Sequence, residues 1–483
     1  MISPLLTDLY QLTMANGYFR GGRQADQAVF HLFFRTLPFG GGYALSAGLE
    51  TALQFVEDFR FEPSDLAYLA QIPGSDGEPL LAPDFIAYLG QLRLSLDIDA
   101  MPEGSVVFGS EPLLRVRGSL LEAQLLETTL LNLINFQTLI ATKAARVCEA
   151  AAGKEVLEFG LRRAQGADGA LAASRAAYIG GCAATSNVLA GKLFGVPVRG
   201  THAHSWVMSF DTEREAFEAY ADAMPNNCVF LVDTYDTLQG VRQAIAVGER
   251  LRAQGKRLLG VRLDSGDLAW LSIEARKLLD AAGFQDAAVI ASNDLDEHLI
   301  ESLRHQNAAI AVWGVGTKLV TAYDQPALGG VYKLSMIGRG QGPLVPRIKL
   351  SEQAAKISNP GIQQVRRFAR DGRWVADLIY DERDGCALPT QLIDPLDPTR
   401  RRTLSEELEY EDLLVPVVKK GKRVGGGHTL EAIRERARTQ LAGLDPSVRR
   451  LLNPHEYPVG LSPELYRQRV QLVRKARGLN EEV

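Results

Sequence analysis

The sequence predicts an α/β protein built around a closed or nearly closed barrel of βα units, with an α+β domain before it and an appended region after it. Three observations carry this expectation. The chain has 483 residues, 46% hydrophobic and 23% charged, enough to bury a large core and divide into two or three domains. From about residue 136, apolar runs that end in polar residues alternate with amphipathic stretches. The runs end near Phe159, Arg199, Asp233, Asp264, Asn293 and Gly316, roughly 23 to 40 residues apart, the length of a strand, a helix and a return loop. An open doubly wound sheet has the same local pattern, so the period predicts the βα unit and leaves closure open.

Residues 1–135 mix short helices with strands: Ala28 to Arg35, the alternation from Leu92 to Ile98, Val106 to Phe108 and Leu113 to Val116. Pro102-Glu103-Gly104 and Gly109-Ser110-Glu111-Pro112 punctuate the last two. Leu120 to Val147 is the most apolar long stretch. Glu122, Glu127, Asn132 and Lys143 interrupt it, so it reads as packed helix and not as a membrane span. In the barrel segment, 136–350, helices are expected over Thr237 to Ala253, Asp267 to Ala282 and Asp294 to Arg304, each opening on a Thr or Asp suited to capping. Residues 351–483 are expected to form an appended region of loops rich in Pro, Gly and charge, followed by a helical tail from Thr429. The arginines of this tail (Arg449, Arg450, Arg467, Arg469, Arg474, Arg477) and Lys475 are interleaved with Glu464, Glu481 and Glu482, the pattern of a solvated helix face.

A net charge of -5 argues against a non-specific hold on nucleic acid or on an anionic membrane. The first dozen residues contain Asp8 and Gln11 and lack a basic, then apolar, leader pattern, so a cytoplasmic protein is expected. Cys148, Cys182, Cys228 and Cys386 are far apart with no CxxC spacing, which suits reduced packing residues better than disulfides or zinc ligands.

In either α/β architecture the ligand sits at the carboxyl ends of the parallel strands, so these ends are where chemistry is expected. The first carries Phe159 and, three residues on, Arg162, an aromatic platform and a guanidinium for a carboxylate or phosphate, or else a core Phe beside surface arginines. The second carries Gly200-Thr201-His202-Ala203-His204-Ser205-Trp206, two of the chain's seven histidines, suited to a base, a metal ligand or a nucleophile that accepts phosphate. Asp233/Asp236 and Asp264/Asp267 each set two carboxylates across a turn into a helix. One of each pair suits a helix cap, the other sugar hydroxyls or a Mg²⁺ ion on a polyphosphate. Arg262 precedes the second pair, and Ser292-Asn293-Asp294 adds neutral hydrogen-bonding groups. Gly314-Val315-Gly316-Thr317-Lys318 is a short glycine turn that lets backbone N–H groups approach an anion, without Walker A spacing. Arg347, Lys349 and Lys356 follow, with solvated surface as their default reading. The set suits a phosphorylated sugar and a small anionic ring. Hydride transfer is disfavoured, since no GxGxxG follows a first strand.

These strings, in order, resemble those of the nicotinate phosphoribosyltransferase family: Thr7-Asp8-Leu9-Tyr10-Gln11, Pro38-Phe39-Gly40-Gly41-Gly42-Tyr43, Asn135-Phe136-Gln137, the strand ends above and Val331-Tyr332-Lys333-Leu334. The resemblance implies an irregular α/β barrel of the type II phosphoribosyltransferase fold, an N-terminal domain completed by the C-terminal region, and a head-to-tail homodimer with shared active sites. It implies transfer from phosphoribosyl pyrophosphate to nicotinate, with ATP as co-substrate and Mg²⁺ held mainly through substrate phosphates. His204 then corresponds to a catalytic histidine that transiently takes the γ-phosphate of ATP. Phe159 and a neighbouring subunit's Tyr10 stack on the pyridine ring, Arg162 and Arg262 hold anionic groups, and Asp264 meets ribose hydroxyls or metal. Thr201 and Ser292 join the substrate-binding set, and Gly316 with Thr317 takes the 5-phosphate. His202 is left outside the catalytic set.

Related nicotinamide-using enzymes place an acid in the helix region after the Phe/Arg strand. Here that stretch is Ala184-Thr185-Ser186-Asn187, with no acid, which favours nicotinate. Nicotinamide or quinolinate as substrate are the near alternatives. A metal-dependent hydrolase using His202 and His204, or a non-catalytic binding protein, are the distant ones.

Overall fold

The computed structural model describes residues 2–340 and 342–479, so Glu481 and Glu482 of the tail lie outside the described residues. The chain forms two compact units, one of Met1–Leu139 with Ala327–Val483 and one of Ile140–Pro326. Residues 327–350, which the strand-and-helix period alone assigns to the barrel segment, group with the first unit.

The first unit is built on two large sheets and a small one that pairs Ala44–Leu45 with Val106–Val107. One has seven antiparallel strands centred on Gln27–Phe33, which pairs with Val331–Gly338 on one side and Leu114–Ser119 on the other. Phe30 stacks on Tyr332 at 4.9 Å across the first of these pairings. Strand pairing in the Leu92–Ile98 alternation begins only at Asp97, in Asp97–Ala100. The second sheet, six-stranded, lies wholly between Gln363 and Leu461. It corrects the expectation of loops there. Some of its strands are short and charged, such as Arg401–Leu404 and Glu409–Asp412, and give no apolar alternation to read, while the longer Gln363–Arg370 and Arg373–Asp381 carry charged residues on buried positions. Arg367 and Asp377 are cross-strand neighbours in it, fully buried and paired at 2.6 Å. Tyr457 donates to Asp377 at 2.8 Å and Arg367 donates to the Val106 carbonyl at 2.9 Å, so every charge of the pair has a partner. Beside them burial, reinforced by Asp377, pushes the Glu111 carboxyl well above its usual range. The tail helices are Leu430–Gly443, capped by Thr429, and Pro463–Ala476.

Helix Glu127–Ala151 carries the chain from the first unit into the second. There the strands are β1 (Glu155–Glu158), β2 (Ala184–Thr185), β3 (Val229–Leu231), β4 (Gly260–Leu263), β5 (Ala288–Ala291) and β6 (Val312–Val315), all parallel. Their order is β2-β1-β6-β5-β4-β3. Because β6 pairs with β1, the strands form a ring in chain order that is open only between β2 and β3. It is an irregular α/β barrel with one missing seam. The strand expected near Arg199 is a single parallel bridge, Thr185 to Val198, on the β2 side of that seam. The helices Thr237–Ala253, Leu268–Ala281 and Glu297–His305 are capped by Asp236, Asp267 and Asp296, so the last begins two residues later than expected. Lys143, fully buried, is held by Glu297 at 2.7 Å and Asp324 at 2.5 Å. None of the four cysteines, all among the described residues, is in a disulfide. Among the described residues no helix is long and apolar enough to cross a membrane.

Candidate active site at the strand ends of the barrel

The loop 200–204 crosses the open seam and is fastened on its far side at four points. The Gly200 carbonyl accepts from Asn227 Nδ2 at 3.1 Å, and Thr201 Oγ1 accepts from Arg262 Nη1 at 2.8 Å. His202 Nε2 accepts from the backbone N–H of Leu231 at 3.3 Å, and His204 Nδ1 lies 3.1 Å from Thr234 Oγ1. Strand β3 has no neighbour on this side, so the Leu231 N–H has no ladder partner; the His202 ring supplies one. His202 is buried among Phe217, Tyr220 and Phe230, and burial, with the nearby Arg262 and His204 charges, lowers its pKa to about 4. It is therefore a neutral ring with its proton on Nδ1, whose nearest acceptor is the Ala203 carbonyl at 3.4 Å. The two histidines do not converge. His202 Nε2 is spent on β3, while His204 faces the strand ends with its side chain 40% exposed, so the paired histidine ligands of a metal hydrolase are not formed.

The carboxylate pairs divide their roles. Asp236 caps its helix through the Gln239 N–H and Asp267 through the Trp270 N–H, leaving Asp233 and Asp264 at the ends of β3 and β4. His204 Nε2 stands 3.7 Å from Asp264 Oδ2 and 4.0 Å from Asp233 Oδ1. The Asp233 side chain is buried. Its Oδ2 accepts from the Asp264 N–H at 2.8 Å and from Ser265 Oγ at 2.7 Å, while Oδ1 has no hydrogen-bond partner. Ser292, at the end of β5, donates to Asp264 Oδ1 at 2.5 Å and turns the other oxygen outward. Near them, burial and the charges of Asp233 and Asp236 raise the Glu213 carboxyl to about 7. The sequence offers Asp233 as one of a pair without saying which acid caps and which binds, and it does not single out Thr234. The repeated spacing of Asp233/Asp236 and Asp264/Asp267 is the signal that finds Asp233.

Phe159 follows β1 and lies against β6: a Cβ added at Gly314 would come within 2.9 Å of Phe159 Cδ2 and 3.3 Å of Ser292 Cβ. The ring is thus next to the serine that orients Asp264. Arg162 is exposed on the turn Leu161–Arg163, and its charge is felt at Arg262, whose buried Nε has no partner. Gly316 and Thr317 start a one-turn helix, and Lys318 is tied to Asp296 at 2.6 Å. Below Phe159, Glu158 is buried and fully used: Oε2 accepts from Ser174 at 2.8 Å and Thr185 at 2.6 Å, and Oε1 from the Gly160 N–H. Tyr10 belongs to the first unit, on helix Leu9–Arg20, and is about half exposed.

Within the second unit Arg262 is bonded to Thr201, His204 meets Asp264 and Asp264 meets Ser292, and the Phe159 ring borders Gly314 beside that serine. Among the described residues no group of three metal-binding side chains occurs. The partnerless Asp233 Oδ1 and the outward Asp264 Oδ2 therefore suit a cation that brings most of its own oxygen ligands, as a polyphosphate-bound Mg²⁺ does.

Three family models cover most of the chain: the nicotinate phosphoribosyltransferase (NAPRTase) N-terminal domain over residues 5–135, the NAPRTase family over 155–339 and the nicotinate phosphoribosyltransferase C-terminal domain over 362–469. The chain is 45% identical to the nicotinate phosphoribosyltransferase of Bacillus subtilis, across 99% of this chain and 96% of that one. The crystal structure of human nicotinic acid phosphoribosyltransferase matches with a TM-score of 0.85 at 35% identity, over 96% of this chain and 99% of that one. The fold is shared more distantly with nicotinate-nucleotide pyrophosphorylase from Pyrococcus furiosus, TM-score 0.67 at 21% identity over 90% and 94%.

Proposed function

The chain belongs to the nicotinate phosphoribosyltransferase family, and from that premise we propose how its strand ends carry out the family's reaction. It joins nicotinate to the ribose of phosphoribosyl pyrophosphate, releasing pyrophosphate and forming nicotinate mononucleotide for NAD salvage. The observation that carries the site assignment is the chain of contacts from His204 through Asp264 to Ser292, with Ser292 and the Phe159 ring both bordering Gly314, at the open end of one barrel.

As pyrophosphate departs from C1, the ribose gains oxocarbenium character and the pyridine nitrogen attacks the opposite face. The site must hold that ring at attack distance and stabilise the separating charges. Phe159, braced against β6, is the platform for the ring, with Tyr10 of a second copy on its other face. Arg162 and Arg262 hold anionic substrate groups, and Thr201 fixes the Arg262 guanidinium. Asp264, oriented by Ser292, takes the ribose hydroxyls, and the Gly316-Thr317 turn takes the 5-phosphate. Mg²⁺ brought on substrate phosphates would neutralise charge between those oxygens and the Asp233 and Asp264 carboxylates. His204 accepts the γ-phosphoryl of ATP, with Thr234 fixing its ring. The added charge and acceptor oxygens couple hydrolysis to substrate binding.

Preference for nicotinate over nicotinamide is supported by Glu158. It is the carboxylate bonded to Thr185, it is buried, and both of its oxygens accept hydrogen bonds from within the fold, so it is not presented to an amide N–H₂. The protein works in the cytoplasm as a homodimer. The phosphoryl step is tested by incubating purified protein with γ-labelled ATP: acid-labile, alkali-stable label that disappears in His204→Ala is the expected result, and label retained in that variant would remove His204 from this role.

A further inference from the structure

Away from the barrel, the first unit contains a cavity of about 790 Å³. Its apolar wall is formed by Phe33, Ile379, Leu392 and Leu461, the ends of strands from both sheets. The opposite lining is cationic: Arg35, Arg400, Arg401, Arg402 and Arg469, against the two carboxylates Asp394 and Glu456. Both acids are engaged by one of the five guanidiniums, Arg400, at 3.4 Å and 3.2 Å. Arg401 and Arg402 each donate one bond, to the Pro398 and Val375 carbonyls, and among the described residues no carboxylate pairs with them.

Arg469 is the least ordinary of the set. On helix Pro463–Ala476 its neighbour Arg467 faces solvent and pairs with Glu464, as a solvated tail would. Arg469 instead turns inward. It is 7% exposed, bonds the Pro395 carbonyl at 3.3 Å, and leaves its Nε buried without a partner. A buried guanidinium with an unsatisfied donor at the wall of a cavity costs free energy unless something there accepts from it.

We propose that this cavity is a second ligand site, separate from the transfer reaction, that takes a nucleotide. Phosphate oxygens match the guanidinium fork, so the phosphates lie against Arg401, Arg402 and Arg469, and the less polar base lies on the Phe33–Ile379–Leu392 wall. The volume falls in the range that holds a whole small organic ligand, more than a bare phosphate would fill. None of the groups assigned to transfer on the barrel strand ends lines it.

The test is photolabelling of the intact enzyme with 8-azidoadenosine 5′-triphosphate, followed by peptide mapping, with unlabelled ATP or inorganic pyrophosphate as competitor. The expected result is label on peptides spanning 390–404 or 454–461. ATP should displace it at concentrations at least about tenfold below those needed for pyrophosphate, and it should fall about tenfold in both Arg401→Ala and Arg469→Met. Arg401 is exposed, so its variant keeps the test valid if Arg469→Met folds poorly. Label confined to barrel peptides, label that survives Arg401→Ala, or equal displacement by pyrophosphate would overturn the proposal. Nicotinate mononucleotide formation by the same preparations reports on the barrel independently: its absence from the unaltered enzyme would count against the transfer site and leave the cavity result standing.

Discussion

At the seam of the barrel, a single imidazole nitrogen does what a neighbouring strand would do, accepting the Leu231 N–H while holding the loop that carries Thr201 and His204. Replacing His202 with Phe keeps the aromatic packing and strands that donor, so unfolding free energy at pH 7 should fall by about 1–3 kcal/mol in urea titrations. Unchanged stability would show that the bond contributes nothing. The pH dependence has a definite sign. With a folded pKa of about 4 and an unfolded value near 6.5, His202 binds fewer protons when folded. The stability it contributes is present above pH 6.5 and is lost as pH falls towards 4, by up to about 3 kcal/mol. His202→Gln, which keeps an acceptor and removes the titration, should flatten the stability profile in that window relative to the unaltered protein. Asp264 is the residue whose change should reach turnover itself. Asp264→Asn is expected to lower kcat/KM for phosphoribosyl pyrophosphate by on the order of 10²-fold with little change in melting temperature. A drop below about threefold would place the reacting sugar elsewhere.

Strand β6 contributes to the site by what it lacks. The absent side chain at Gly314 leaves room for the Phe159 ring, so Gly314→Ala should push the ring off its position. Steady-state kinetics should show a KM for nicotinate raised by about tenfold and a KM for phosphoribosyl pyrophosphate raised less. Equal effects on both would mean that Phe159 is not the platform. Elements of this kind were unevenly legible in the sequence. Five of the six strands, β1 and β3 to β6, and the helix caps at Asp236 and Asp267 could be read because buried parallel strands are short apolar runs that end close to a polar residue. Strand β2 is two residues long, too short for any periodicity, and its apparent substitute near Arg199 is one bridge. The sheet between Gln363 and Leu461 was hidden because Arg367 and Asp377 satisfy each other inside it, and a buried ion pair looks in sequence like surface. The candidate site shows the same division. His204 and Asp264 stand out as polar residues after apolar runs and Arg262 as a charge within one, whereas the choice between Asp233 and Asp236 as the ligand is settled only when Asp236 is seen to cap the helix. The inward turn of Arg469 depends on a partner far away in sequence, the Pro395 carbonyl, which no local pattern reveals.

For the whole molecule, Tyr10 lies on one unit and His204 on the other, and the proposed homodimer shares them between two copies. Tyr10→Ala and His204→Ala proteins, each weakly active alone, should recover about a quarter of normal activity when unfolded and reassembled together, because half of the dimers then contain one intact site. No recovery, with mixed dimers verified by mass, would assign Tyr10 to the same copy as His204. The central claim is that the barrel's strand ends transfer a phosphoribosyl group to nicotinate with His204 linking the reaction to ATP. The most direct measurement is product formation from phosphoribosyl pyrophosphate, Mg²⁺ and nicotinate, with and without ATP, beside reactions containing nicotinamide or quinolinate. Nicotinate mononucleotide formed from nicotinate alone among the three, stimulated by ATP in the unaltered enzyme and unresponsive to ATP in His204→Ala, is the predicted result. Preferential use of nicotinamide or quinolinate, or ATP stimulation undiminished in His204→Ala, would contradict it.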